Sequence, residues 1–268
     1  MIIVGIVIII GILAFFILKG EHDTNVLTDD YFEGTQIKSK VNAIRDHVDD
    51  CMSSVTKEAL IVIAFQGGYN TPPPLHFRYD PVFFPYYYYE GKVILPTIED
   101  IESELGSYVN EKVIDCLNQG SFTGFNLEYE NMRTIVKVTR DNAYFEPEMP
   151  ITITHAGHKM TLELSEYHKN YNSSLFEIYE VAKYITESHS EDSEYYCVSC
   201  VTEMASQRDL YVYLFPRVAN ELITGISIYE NRTGIGDPYS FIFFNKYTGD
   251  ERTPKLNTWL SIPKTLKF

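Results

Sequence analysis

The segment Ile151-Thr-Ile-Thr-His155-Ala156-Gly157-His158-Lys-Met-Thr-Leu-Glu-Leu164 alternates apolar and polar residues on either side of its Ala-Gly pair. Alternation with a period of two marks a half-buried strand, and a two-residue connection between two such runs marks a hairpin. Taking Ala156 and Gly157 as the loop sets His155 opposite His158, Ile153 opposite Met160 and Ile151 opposite Leu162, all on one face. Thr152, Thr154, Lys159, Thr161 and Glu163 then occupy the other face. Both strands agree with the same register, so an antiparallel pair is expected here.

Strand signals continue on both sides. Phe125-Asn-Leu-Glu-Tyr129 and Thr134-Ile-Val-Lys-Val-Thr139 alternate, with Arg140-Asp141-Asn142 as a turn, and residues 195–204, 210–215, 222–229 and 239–247 also read as strands. Helical periodicity appears in three places. Val41, Ile44, Val48, Cys51, Val55, Ala59 and Ile63 recur at spacings of three and four until Gln66-Gly67-Gly68 ends the run. A second helix starts at Thr97, with Asp100 placed to close a capping box, and carries Ile101, Leu105, Tyr108, Val113, Cys116 and Leu117 as its apolar stripe. A third starts near Ser174, with Glu177 at the capping-box spacing, and buries Phe176, Ile178, Val181, Ala182 and Ile185. Runs of strands with short turns, beside a few helices, predict an α+β class with antiparallel sheet rather than a parallel α/β fold.

Residues 66–96, between the first two helices, hold six of the twelve prolines and the run Tyr86-Tyr87-Tyr88-Tyr89. They read as a long Pro/Tyr-rich loop, and a structureless connection of that length is often functional. It is either an aromatic lid packed onto the helices or a contact surface in which Tyr86, Tyr87, Tyr88 and Tyr89 meet a sugar or a neighbouring subunit. Cys51 and Cys116 sit on the apolar stripes of the two flanking helices. An antiparallel packing of those helices brings the sulfurs together as a disulfide; otherwise they are buried thiols.

The other end of the chain has a different character. Residues 2–18 are all Ile, Val, Leu, Phe, Ala or Gly, and every charged side chain comes later, beginning at Lys19. As a helix, residues 1–18 span about 27 Å, near the thickness of a bilayer's hydrocarbon core. No basic n-region and no small-x-small cleavage site accompanies the run, so a permanent anchor over residues 1–19 is expected in preference to a cleaved signal. A polar stalk over 20–36, an extracytoplasmic α+β domain over 37–248 and a tail over 249–268 complete the expected organisation. Asn172-Ser173-Ser174 and Asn231-Arg232-Thr233 are glycosylation sequons, and four cysteines are an even number that suits an oxidising compartment. A net charge of −15 argues against a nucleic-acid binder, whose affinity begins with phosphate neutralisation by Lys and Arg.

Motifs that carry chemistry are few. Cys197-Val198-Ser199-Cys200 is a CxxC whose neighbours read as strand, where residues three apart face opposite sides. That context favours a local disulfide or structural thiols over a metal half-site or a redox centre, because a redox pair belongs at a helix N-terminus. His155 and His158 are either turn histidines or half of a zinc site completed by Cys197 and Cys200. No nucleophile elbow, zinc-protease helix, P-loop or dinucleotide fingerprint occurs. No catalytic residue and no cofactor is expected.

Several of these pieces together resemble a family of uncharacterised archaeal single-pass membrane-anchored proteins with an extracytoplasmic α+β domain. They are Cys51 at mid-helix, Gln66-Gly67-Gly68-Tyr69, the proline-rich loop ending in Tyr86-Tyr87-Tyr88-Tyr89, and the helix ending in Cys116. Pro150-Ile-Thr-Ile-Thr154, Phe176-Glu-Ile-Tyr-Glu-Val-Ala-Lys-Tyr-Ile185 and Phe241-Ile-Phe-Phe244 extend the resemblance over most of residues 40–248, leaving 249–268 outside. It implies an archaeal cell-surface location and carries no activity with it. The expectation is therefore a single-pass protein of the cell membrane, held in the lipid bilayer by residues 1–18. Its extracellular domain has a non-enzymatic binding or structural role toward an envelope protein, a glycan or itself. Two alternatives stand beside it: a type IV pilin-like filament subunit that assembles through the apolar helix, and an extracytoplasmic zinc-dependent hydrolase using His155 and His158.

Overall fold

The structure is a computed structural model that describes residues 31–32, 34–129, 131–191, 197–215, 222–230 and 240–248. The expected anchor, the stalk as far as residue 30, the sequon at Asn231 and the tail 249–268 lie outside the described residues. Among the described residues no helix is long and apolar enough to cross a membrane.

The chain is α+β. Helix α1 (Thr35–Phe65) buries Val41, Ile44, Val48, Cys51, Val55, Ala59 and Ile63, the stripe visible in the sequence. Gly67 and Gly68 end it at positive φ, with the Gly68 amide donating to the Ile63 carbonyl at 2.7 Å and the Gly67 amide to Ala64 at 2.9 Å. These bonds satisfy carbonyls that the last helical turn leaves without a partner. Helix α2 (Ile98–Gln119) opens with the expected box: the Asp100 amide donates to Thr97 Oγ1 at 3.1 Å and the Thr97 amide to Asp100 Oδ2 at 2.9 Å.

Residues 66–96 are not a structureless loop. They form β1 (His76–Tyr79), β2 (Val82–Tyr89) and β3 (Lys92–Val93). Next come β4 (Asn126–Tyr129), β5 (Arg133–Val138), β6 (Asn142–Glu148), β7 (Pro150–His155), β8 (His158–Glu163) and β9 (Lys169–Asn172). Helix α3 (Leu175–Glu191) follows, then α4 (Val198–Ser206), β10 (Leu210–Phe215), β11 (Ile223–Glu230) and β12 (Ser240–Lys246).

Three sheets result. The first has the order β1-β2-β12-β11-β10, with β3 added beside β2; the others are β4-β7-β8 and β5-β6-β9. The β7–β8 register is the one the alternation predicts, with His155 opposite His158, Ile153 opposite Met160 and Ile151 opposite Leu162. A wholly antiparallel sheet is corrected at one place: β12 runs parallel to β2, pairing Phe244 with Tyr86 and Lys246 with Tyr89. The ladder slips between Phe244 and Asn245, and the buried Asn245 side chain accepts the Tyr88 amide at 3.1 Å there. The expected strand over 195–204 is corrected too, because residues 198–206 are helix α4.

The expected 37–248 domain contains two compact units. Described residues within 31–56, 109–135 and 145–169 form the first, and those within 57–108, 136–144 and 170–248 the second. In the first, Cys51 and Cys116 are joined with their Cα atoms 5.7 Å apart. In the second, α3 lays Ile178, Val181, Ala182 and Ile185 toward a core that includes Tyr87, Phe241, Phe243, Ile226 and Ile228. Phe84, Tyr86, Ile223, Ile242 and Phe244 form a second cluster, joined by Phe77 and Tyr89. Strand β2 is thus covered on both faces, which is why six consecutive residues of it are buried.

Candidate functional site

The tyrosine run is core. Tyr86, Tyr87 and Tyr88 are buried, and Tyr87 has no exposed surface. Its ring stacks on Phe243 with centroids 4.4 Å apart, and burial holds its hydroxyl proton well above the usual phenol range. Tyr89, at the strand's end, accepts a hydrogen bond from Lys246 Nζ at 3.0 Å, with the ammonium 4.5 Å from the ring centroid. Glu90 holds the same ammonium at 2.6 Å, and its hydrogen bond, with that of Tyr89, raises the Lys246 pKa. A contact surface made of Tyr86, Tyr87, Tyr88 and Tyr89 is therefore corrected: inner strands of a covered sheet offer no ring faces to a partner.

His155 and His158 are neighbours across the hairpin, yet each is occupied separately. His155 Nδ1 lies 2.7 Å from the Gly124 carbonyl and its ring stacks on Phe125, while His158 stacks on Tyr31 with centroids 3.8 Å apart. The zinc site completed by Cys197 and Cys200 is corrected, because those two sulfurs are bonded to each other and present no thiolate. Among the described residues no group of three or more His, Cys, Asp or Glu is placed to hold a metal.

The second unit instead carries a polar cleft of about 460 Å³. Four separate segments line it. The β5–β6 turn supplies Arg140 and Asp141; the stretch from the end of β9 into the first turn of α3 supplies Asn172, Ser173, Ser174 and Glu177. Gln207, Arg208 and Asp209 come from the turn after α4, and Glu230 from the end of β11. Backbone bonds fix these pieces: the Ser173 amide donates to the Asp141 carbonyl at 3.0 Å, and the Ser173 hydroxyl accepts from the Leu175 amide at 3.2 Å. Asp209 turns the chain with φ +54°, and Leu210 then pairs with Glu230.

Glu177 is the electrostatic centre of this wall. Its Oε1 lies 3.3 Å from Arg140 Nε, and its Oε2 is ion-paired with Arg208 Nε. The Arg208 guanidinium also donates to the Met204 carbonyl at 2.9 Å, which ties it to the last turn of α4. Arg140 is largely exposed, so its pair is worth little by itself; Arg208 and Glu177 are mostly covered and form the stronger contact. The capping-box spacing of Glu177 is thus used for side-chain ion pairs across the cleft. Asn172, the first residue of the sequon, is exposed on the same lining.

Four carboxylates and two guanidinium groups line the cleft, so its wall is polar and densely charged. Apart from the sequon at Asn172 and the capping position of Glu177, no motif marks these residues, and none marks them as a group. One further signal was available: Glu230 follows Ile226 and Ile228 on the buried parity of a strand, where a carboxylate is unusual. No protein-family model, no curated protein and no solved structure matches this chain.

Proposed function

We propose that this chain is a single-pass, membrane-anchored surface protein whose extracellular domain acts by binding an envelope partner. The observation that carries the reading is the disulfide between Cys51 and Cys116, which joins two helices across a sequence separation of 65. Persistent disulfides belong to oxidising compartments. With the apolar run of residues 2–18 ahead of it, a disulfide-bonded domain fits the outer face of a cell membrane. The contact belongs to the polar cleft around Glu177, since the tyrosine run is buried. A glycan of the envelope matches that lining: paired hydroxyls suit carboxylates and guanidinium forks alike.

Two experiments test this. Native cells are sheared, and the sheared material is compared with the detergent-extracted membrane fraction by immunoblot and electron microscopy. Recovery only after detergent supports the anchor; recovery in sheared fibres transfers the apolar helix to filament assembly and ends the anchored reading. For the cleft, isolated envelope polysaccharide is titrated into the protein and into Glu177→Ala. Saturable binding lost in the variant supports the assignment, and equal binding by both sinks it.

A further inference from the structure

Cys197 is the N-cap of α4, and its Sγ accepts a hydrogen bond from the Cys200 amide at 3.2 Å. From these placements we infer that Cys197–Cys200 is a redox-active disulfide that exchanges with the cysteines of a second protein. The inference goes beyond the binding reading above and does not rest on it.

Three features separate this bridge from the one between Cys51 and Cys116. First, it sits at the positive end of a nine-residue helix with no acidic residue in its first turn. A helix N-terminus stabilises a thiolate, and the Cys200 amide is already directed at the Cys197 sulfur. Second, Cys197 and Cys200 are both partly exposed and Ser199 between them is exposed, whereas in the other bridge Cys51 is 1% exposed and Cys116 alone is partly exposed. Exchange requires an incoming thiolate to reach a sulfur, and in the CxxC pair neither cysteine is fully buried. Third, its sequence separation is 3 against 65 for Cys51–Cys116. Because loop-closure entropy grows with loop length, the short bridge constrains the unfolded chain far less, so stabilising the fold is a weak account of it.

The step balances with a partner dithiol as reductant. A partner thiolate attacks Cys197 Sγ; a mixed disulfide forms, the Cys197–Cys200 bond breaks and Cys200 leaves as a thiolate. The partner's second thiolate then attacks its own sulfur in the mixed disulfide, closing the partner's disulfide and expelling Cys197 as a thiolate. Two electrons pass to this protein, and the two protons released by the partner's thiols re-protonate its cysteines through solvent. With a small dithiol as electron source, the same steps in reverse reduce a partner disulfide.

The test uses the full chain in detergent, with insulin as the disulfide probe and dithiothreitol as the reductant. Turbidity from the freed insulin B chain is followed with no protein, with wild type, and with Cys197→Ser. The expected result is an acceleration of about tenfold over dithiothreitol alone, lost in the variant, because an activated CxxC cycles while an inert exposed bridge does not. A wild-type rate equal to that of dithiothreitol alone overturns the inference, whatever the variant's folding. As a second reading, Cys200→Ser is mixed with oxidised glutathione. Accumulation of a mixed disulfide at Cys197, by mass spectrometry, is expected; an unmodified Cys197 overturns it.

Discussion

The Tyr87 hydroxyl donates to the carbonyl oxygen of Gly67 at 3.0 Å, tying the middle of β2 to the residue that ends α1. Gly67 holds φ +57°, and a methyl group there meets the Ile242 carbonyl and the Pro85 ring. The pair therefore sets where the helix stops and how closely the strand passes it. Tyr87→Phe removes only the hydrogen bond and should cost about 1–2 kcal/mol. Gly67→Ala adds backbone strain and a collision with main chain, and should cost about 3 kcal/mol. Urea denaturation of both variants checks the order; a milder Gly67→Ala contradicts the cap.

Removing the Cys51–Cys116 bridge by a double change to alanine should destabilise by about 4 kcal/mol, given the sequence separation of 65. The same double change at Cys197 and Cys200, with a sequence separation of 3, should cost somewhat less than half as much. Denaturation midpoints with and without reductant provide the comparison. Equal losses would show that both bridges serve the fold alike.

Alkaline pH should unfold the second unit through its tyrosines. Burial, with Asp100 and Glu104 nearby, pushes Tyr69 up to about 12, and burial raises Tyr86, Tyr87 and Tyr179 in the same direction. The native state holds these protons more tightly than the unfolded chain does, so the unfolded chain ionises first as pH rises. Stability is independent of Tyr69 below its ordinary value near 10 and falls as pH climbs from there through about 12. Tyrosinate absorbance should rise for these residues together with loss of the fold. Complete ionisation near the ordinary value, with the fold intact, contradicts the burial assignment.

The hairpin turn offers a stabilising change. Ala156 and Gly157 both lie at positive φ, +48° and +85°. Asn tolerates that region better than Ala and is favoured at the first position of such turns, so Ala156→Asn should stabilise by about 0.5–1 kcal/mol. An unchanged or lower melting temperature would contradict the turn geometry.

Much of the architecture was legible because its signals are local. The period-two alternation of Ile151, Ile153, Met160 and Leu162 defines a register without reference to anything distant. The stripe from Val41 to Ile63 and the Thr97–Asp100 box likewise rest on neighbours within a turn or two of helix. The strand over 195–204 misled for a physical reason: nine residues are too few to establish a helical period, and Val198, Val201 and Thr202 favour strands.

By itself the sequence determined the α+β class, the hairpin register, the three longer helices with the stop of α1 and the start of α2, and an apolar segment of membrane length. Each follows from periodicity or capping within a short window. Only the tertiary structure decided that β2 is covered on both faces. A strand buried on two sides has no alternation to read, so Tyr86-Tyr87-Tyr88 looks the same in core as on a surface. The parallel β2–β12 pair joins Tyr88 to Asn245, 157 positions apart, and the cleft around Glu177 collects side chains from four segments. No local pattern encodes such meetings, because they arise from packing between elements that the chain brings together only when folded.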